Sequence, residues 1–370
     1  MKLHPALMIA AALAAGAAGA DAQITMSPLS TFGVNGWLAP GTVSWLTSAS
    51  SDERGLAFAN GQLYVSYGSS TTPAVKIVDS LSGAAIGNLS MTGVSGGTRP
   101  LATLAAGSDG VVYGANLSAP VSGSAPFKIY RWATDAATPT VAFSSTTITG
   151  GRLGDSFTAT GGGASTRLAA GESSTSGSGA RNGYVVMSTT DGSTYSGTLV
   201  GFVGTPPNAG DFRLGITFTD SSHVYGTPGT TFRYTGFSGS SGTLISSYTP
   251  TSSSERPMAF ASISGHDLLA VGSTGDRHVS IYDLTDPSAP IFITSLITAT
   301  GANNSNLNGT GQIAWGNFID LGNGKGSADL YYLDTNNGIQ AFVVAVPEPG
   351  VFAFIALGLG CFALRRKIRV

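Results

Sequence analysis

Arg54-Gly55-Leu56-Ala57-Phe58 returns as Arg99-Pro100-Leu101-Ala102-Thr103 and again as Arg256-Pro257-Met258-Ala259-Phe260, and that recurrence decides how the chain is read. Each copy is followed by a Gly-containing turn and an apolar run: Leu63-Tyr64-Val65, Val111-Val112-Tyr113 and Leu268-Leu269-Ala270-Val271. A more alternating strand comes next: Val75-Lys76-Ile77-Val78-Asp79, Phe127-Lys128-Ile129-Tyr130-Arg131 and Val279-Ser280-Ile281-Tyr282-Asp283. In two cases a fourth strand follows a proline, Val141-Ala142-Phe143 and Ile291-Phe292-Ile293. Arg54 and Arg99 are 45 residues apart, close to the period of a four-stranded propeller blade.

The 157 residues between Arg99 and Arg256 hold the unit begun at Arg99 and two degenerate ones. One runs through Asp155-Ser156-Phe157-Thr158, Arg167-Leu168-Ala169-Ala170 and Tyr184-Val185-Val186-Met187. The next uses Phe212 to Phe218, Val224-Tyr225, Phe232-Arg233-Tyr234 and Leu244-Ile245. A last unit contains Gln312-Ile313-Ala314-Trp315, Phe318-Ile319, Leu330-Tyr331-Tyr332-Leu333 and Ile339-Gln340-Ala341-Phe342. No stretch of the body keeps a 3.6-residue apolar period, so helix should be nearly absent there. The expected fold is all-β, a six-bladed β-propeller over residues 23–345, since radial repetition leaves few exposed sheet edges. Seven blades are the alternative count, and a pair of β-sandwiches is the competing architecture. Val43-Ser44-Trp45-Leu46, ahead of the first repeat, is the expected closing strand of the last blade.

Composition agrees. Charged residues are only 10% of the 370, the formal net charge is −2, and no basic stripe invites nucleic acid. Glycine is abundant, at 52 residues, yet apolar residues recur throughout, as in short strands joined by tight turns. The single cysteine, Cys361, lies outside the body, which therefore has no disulfide.

The two ends read as addresses. Lys2, the small apolar run 6–20 and Ala20-Asp21-Ala22 have the form of a signal peptide over residues 1–22, cut by signal peptidase to leave Gln23 first, with a cut after Ala20 as the second choice. At the other end, Val346-Pro347-Glu348-Pro349-Gly350 precedes an uncharged run over 351–364 and a basic end, Arg365-Arg366-Lys367-Ile368-Arg369-Val370. The prolines keep helix from starting before residue 351. Fourteen helical residues reach about 21 Å, short of the roughly 30 Å hydrocarbon core, a deficit that snorkelling arginines and local thinning cover. Arg365, Arg366, Lys367 and Arg369 should stay cytoplasmic, leaving the body outside. The bland alternative is a buried C-terminal helix.

This three-part tail, residues 346–370, resembles the PEP-CTERM sorting signal of Gram-negative bacteria. The resemblance covers the tail alone. It implies handling by an exosortase-type membrane protease near Pro347-Glu348-Pro349, transient residence in the inner membrane, then display at the cell surface or in the extracellular matrix. It also implies a link to extracellular polysaccharide or biofilm matrix.

Candidate chemistry in the body is sparse. His223, His266 and His278 sit in turn contexts with no partner at metal-ligand spacing, and solvated turn histidines are the plain reading. Gly93-Val94-Ser95-Gly96-Gly97 has the form of a nucleophile elbow but no helix signal after it. Gly161-Gly162-Gly163 and the stretch 171–179 read as loops, since no Lys-Ser/Thr and helix follow. Asp320-Leu321-Gly322-Asn323-Gly324-Lys325-Gly326 through Asp329 offers oxygens to calcium but lacks EF-hand spacing, so a polar hairpin is the first reading. Asp334-Thr335-Asn336-Asn337-Gly338 reads as another hairpin turn. No other cofactor is suggested. Arg54, Arg99 and Arg256 should share one ring position, either bracing the neighbouring blade or lining a ligand site. The expectation is an exported binding or structural module without a catalytic constellation. The alternative is a secreted propeller-type polysaccharide hydrolase or lyase, marked by two or three acids with raised pKa in the channel.

Overall fold

A computed structural model describes residues 23–173, 183–202, 207–208, 210–250 and 252–348. The signal peptide and the tail from Pro349 onward, with its expected helix over 351–364 and basic end, lie outside the described residues. Two short strands come first, β1 (Thr25–Pro28) and β2 (Trp37–Leu38). The Arg54 repeat forms β3 (Gly55–Ala59), β4 (Gln62–Gly68), β5 (Pro73–Asp79) and β6 (Ala85–Asn88). The Arg99 repeat forms β7 (Arg99–Ala106), β8 (Val112–Leu117), β9 (Phe127–Trp132) and β10 (Thr140–Ser145). The degenerate pair gives β11 (Arg152–Thr160), β12 (Arg167–Ser173), β13 (Gly183–Ser188) and β14 (Ser196–Phe202), then β15 (Gly215–Phe218), β16 (His223–Thr227), β17 (Phe232–Ser238) and β18 (Ser241–Tyr248). β19 (Glu255–Ile263), β20 (His266–Ser273), β21 (Val279–Asp283) and β22 (Ile291–Leu296) follow, and β23 (Gly311–Gly322), β24 (Lys325–Asp334) and β25 (Gly338–Val346) complete the chain. Among the described residues there is no α-helix, only one 3-10 turn at Gly163–Ser165.

The strands make an all-β, propeller-like ring, not a pair of sandwiches. Each unit is an antiparallel meander, and its first strand neighbours the first strands of the units before and after it: β3, β7, β11, β15, β19, β23 and back to β3. Six separate four-stranded blades do not form, however; the described residues make five sheets. The third and fourth units fuse into one eight-stranded sheet, because Gly201 and Phe202 on β14 pair in parallel with Ser241 and Gly242 on β18. Two other expectations are corrected. Gln312–Trp315 and Phe318-Ile319 belong to one long strand, β23, so the last unit supplies three strands of its own. The missing strand is not Val43–Leu46, whose Trp45 and Leu46 are buried core residues outside any strand. It is β1, with Thr25 opposite Ala345 and Pro28 opposite Phe342, while β2 adds Trp37 opposite Gln340. The beginning of the body thus clasps its end.

The core lies between units, not at the centre. One cluster joins Leu56, Leu63 and Val65 to Tyr331, Leu333 and Ala341, and another packs Tyr113, Phe127 and Ile129 against Leu153, Phe157 and Leu168. The high glycine content has a local cause where units touch. A side chain at Gly171 would meet the Phe212 carbonyl oxygen at 1.7 Å, and one at Gly215 the Arg256 carbonyl oxygen at 1.9 Å. Only glycine admits a neighbouring backbone that close.

Candidate functional site

Because every first strand starts at the same end of the ring, whatever precedes it is gathered there. That end collects Arg54, Arg99, Arg152, Arg213 and Arg256, each at or just before the first strand of its unit. The sequence reading found three of these. Arg152 and Arg213 escaped it because their units are degenerate, although both stand directly before a leucine, as Arg54 and Arg99 nearly do.

Three of the arginines converge on one buried carboxylate, Asp155. Arg152 donates from Nε to Oδ2 at 2.5 Å and from Nη2 to Oδ1 at 2.8 Å, and Arg213 donates from Nε to Oδ2 at 2.8 Å. Arg54, one of the most buried arginines at 7% exposure, brings Nη1 to 4.0 Å of Oδ1. That Nη1 has no hydrogen-bond partner among the described residues, while Nε donates to the Ser51 carbonyl at 3.2 Å. Burial would raise the Asp155 pKa, but hydrogen bonds and charge from Arg152 and Arg213 outweigh it and hold the carboxyl below its ordinary range. The Arg54 guanidinium is pushed down to about 10, first by burial and then by repulsion from Arg99, which Asp155 offsets only in part. Asp155 and the three guanidinium groups around it form an arginine well at this end of the ring.

The neighbours close the ring. Arg99 reaches across to the preceding unit, donating from Nη1 to the Gly68 carbonyl at 2.7 Å and from Nη2 to Asp52 at 3.2 Å. It braces a neighbouring unit, as one of the two readings expected. Arg256 donates to Thr274 at 3.2 Å, and burial lowers its pKa; its Nε is buried without a partner among the described residues. The turn Asp334–Gly338 is the expected hairpin, joining β24 to β25 with Asp334 opposite Gly338; it lies at this end as a buried polar knot. Asn336 accepts from the Ser51 amide at 2.8 Å, and burial pushes the Asp334 carboxyl up to about 7 despite donation from Asn306 and Asn337.

The other candidates resolve into structural roles. His278 is clamped between Glu255 at 3.2 Å and Asp276 at 2.6 Å, so it is not a free turn histidine. Burial alone would lower its pKa, yet the two carboxylates raise it overall. Glu255 also accepts from Ser280 and Tyr282, each at 2.7 Å. His223 pairs with Asp220 at 2.7 Å and stacks on Tyr234, and His266 opens β20 opposite Ile263. Ser95 meets Tyr130 and Lys128 through its backbone, in a loop with no helix, which is no nucleophile elbow. Asp320 and Asp329 are not brought together for calcium: Asp320 accepts from the Gly322 amide, and Asp329 accepts from Asn317 and Tyr331. Among the described residues no group of three or more His, Cys, Asp or Glu could hold a metal. Of the sorting residues, Val346 ends β25, Pro347 follows it, and Glu348 pairs with Lys325 at 3.0 Å; the rest lie outside the described residues.

The channel is a cavity of about 710 Å³ walled by the first strands, with Phe58, Ala105, Phe157, Ile216, Met258 and Trp315 among its lining residues. Asp109 is its one carboxylate, and backbone amides of Gly163 and Val111 already occupy it. Gln312 spans the channel. Its Oε1 accepts from the Leu56 and Leu104 amides at 2.8 and 2.9 Å, and its Nε2 donates to the Leu104 and Phe157 carbonyls at 2.8 and 3.1 Å. One amide thus satisfies backbone groups that three inward-facing strand edges would leave bare.

No family profile and no curated protein matches the sequence. Among solved structures, the chain is similar to a DUF4623 family protein from Bacteroides eggerthii, with a TM-score of 0.60, 17% identity, and 82% of this chain and 72% of that one covered. At that identity the likeness concerns fold alone. The Cps50 (Swd1) β-propeller domain from Myceliophteria thermophila aligns at 11% identity and a TM-score of 0.40, over 81% of this chain and 86% of that one. A Hadza microbial sialidase aligns at 11% identity and a TM-score of 0.49, over 80% of this chain and 65% of that one. These two likenesses are too slight to bear on activity.

Proposed function

We propose that this is an exported, surface-directed β-propeller of six blades, the fused sheet counting as two, that binds acidic extracellular polysaccharide at its arginine well. The observation that carries the proposal is the convergence of Arg54, Arg152 and Arg213 on the single carboxylate of Asp155, with Arg54 Nη1 left without a hydrogen bond among the described residues. Arg54 Nη1 lies below the solvent-accessible surface, so an incoming carboxylate or sulfate makes its charge-assisted bond with the arginine of this group that reaches solvent. Arg213, about a third exposed, forms the accessible rim. Glycoside hydrolysis needs a pair of carboxyl groups flanking the bond, and the channel lining supplies one, already capped; this favours binding over the hydrolase alternative.

Calorimetric titration of the mature protein with an oligouronate and with a neutral glucan of equal length tests the reading. The oligouronate should bind, weakening with salt, and Arg213→Ala, titrated well below its own lowered melting temperature, should raise Kd at least tenfold. Equal heats for the acidic and neutral chains would overturn it.

The tail carries the export half of the proposal. Pro347-Glu348-Pro349 stands just past β25, ahead of the apolar run and basic end, where an exosortase-type protease would meet it as extended chain. Mass spectrometry of the surface or secreted protein should find a C-terminus between Val346 and Gly350. An intact Arg369-Val370 terminus, recovered mainly in the inner membrane, would make the tail a plain anchor.

A further inference from the structure

The hairpin joining β23 and β24 turns through Gly322-Asn323-Gly324-Lys325, polar as expected, but the strand just before the turn exposes large apolar residues on either side of Asp320. Phe318 is 54% exposed, Ile319 53% and Leu321 66%, on a strand that runs several residues past the bulge after Gly316. Singly exposed apolar residues are ordinary; three large ones within four positions of a projecting hairpin are not.

What lies beside this tip gives the patch a partner. β25 pairs with β24 up to Val346 opposite Gly326, so the chain leaves the ring alongside the hairpin. Lys325, at the hairpin's turn, then holds Glu348 at 3.0 Å. Only Pro349 and Gly350 separate Glu348 from the apolar run over 351–364, a reach of about 10 Å even when fully extended. Wherever that run enters a bilayer, the hairpin tip must lie close to the surface.

We propose that the β23–β24 hairpin is a membrane foot: Phe318, Ile319 and Leu321 sink into the interfacial layer of the bilayer that holds residues 351–364. The proposal rests on reading that run as membrane-inserted. Interfacial segments commonly bury apolar side chains about 5–10 Å into the headgroup boundary, and Phe and Leu are usual members of such a face. The arrangement fixes orientation as well as contact. First strands start at the arginine end and β25 finishes at the hairpin end, so the foot faces the membrane and the arginine well faces away from it. Before processing, the protein stands on the bilayer with its well directed outward.

Site-directed fluorescence of the uncut, full-length chain in phosphatidylethanolamine/phosphatidylglycerol vesicles tests this. An environment-sensitive label is attached at Cys361 of the native chain, at Leu321→Cys combined with Cys361→Ser, or at Leu307→Cys combined with Cys361→Ser. Leu307 is 94% exposed and lies four residues before β23, at the arginine end. A label at position 321 should be quenched by shallow lipid nitroxides at least threefold more than one at 307, while aqueous iodide shows the reverse. If position 321 behaves like 307 while the Cys361 label is lipid-quenched, the foot is wrong and the membrane reading of the tail stands. If Cys361 is itself untouched by lipid nitroxides, the tail reading fails and the foot fails with it.

Discussion

Asp155 does at the scale of one residue what a hub does in a wheel. It is buried and takes charge from arginines of its own, the first and the fourth units. Asp155→Asn removes the shared negative charge and leaves guanidinium groups facing one another. Breaking a buried pair in this way costs roughly 3–5 kcal/mol, and the partial exposure of Arg213 places the expected loss toward the lower end. The same residue makes stability sensitive to acid. Its folded pKa lies below the unfolded one, so its contribution is complete above the ordinary aspartate range and is lost as pH falls through the depressed value. Urea midpoints of parent and variant should therefore differ most at neutral pH and converge in strong acid. A constant difference down to low pH would remove Asp155 from the account. Little of this hub was legible in the sequence. Asp155 is one of twenty acids, and its role depends on Arg54 and Arg213, which are 101 and 58 positions away and meet it only when the ring closes.

At the scale of the element, legibility followed the cleanness of the repeat. Where the Arg-x-Leu or Arg-x-Met copies are intact, the alternating strands fell inside β5, β9 and β21. Where they decay, β14 went unseen, because Ser196-Gly197-Thr198-Leu199-Val200-Gly201-Phe202 carries two glycines and one end of it pairs with the next unit. The closing strand was misplaced for a related reason. Thr25-Met26-Ser27-Pro28 has weak strand character and gains its place by pairing with the apolar β25. Gln312 was read simply as part of a strand, though its side chain ties β3, β7 and β11 to β23. Gln312→Leu keeps the volume and removes four hydrogen bonds. Water entering the channel recovers some of them, so about 2–3 kcal/mol of destabilisation is expected from the buried amides and carbonyls left bare. Equilibrium unfolding should show it as a lower urea midpoint with unchanged slope. A variant as stable as the parent would mean that the inner edges need no bridge.

At the scale of the molecule, the fold separates three tasks by position. Apolar clusters between units hold the ring, the arginine end gathers charge, and the hairpin end carries the departing chain. Low net charge, −2 over the whole sequence, makes the well a local feature instead of part of a basic surface. On the proposed reading a polyanion is met by the accessible guanidinium of Arg213, and binding should be specific to acid-bearing chains without general affinity for nucleic acid. The most direct test is amide hydrogen exchange of the mature protein with and without an oligouronate, read peptide by peptide. Protection should appear in peptides containing Arg54, Arg99, Arg152 and Arg213, with none in those covering 105–110 and 157–161 at the far end of the channel. Protection confined to the channel peptides, with the arginine end unchanged, would contradict the account.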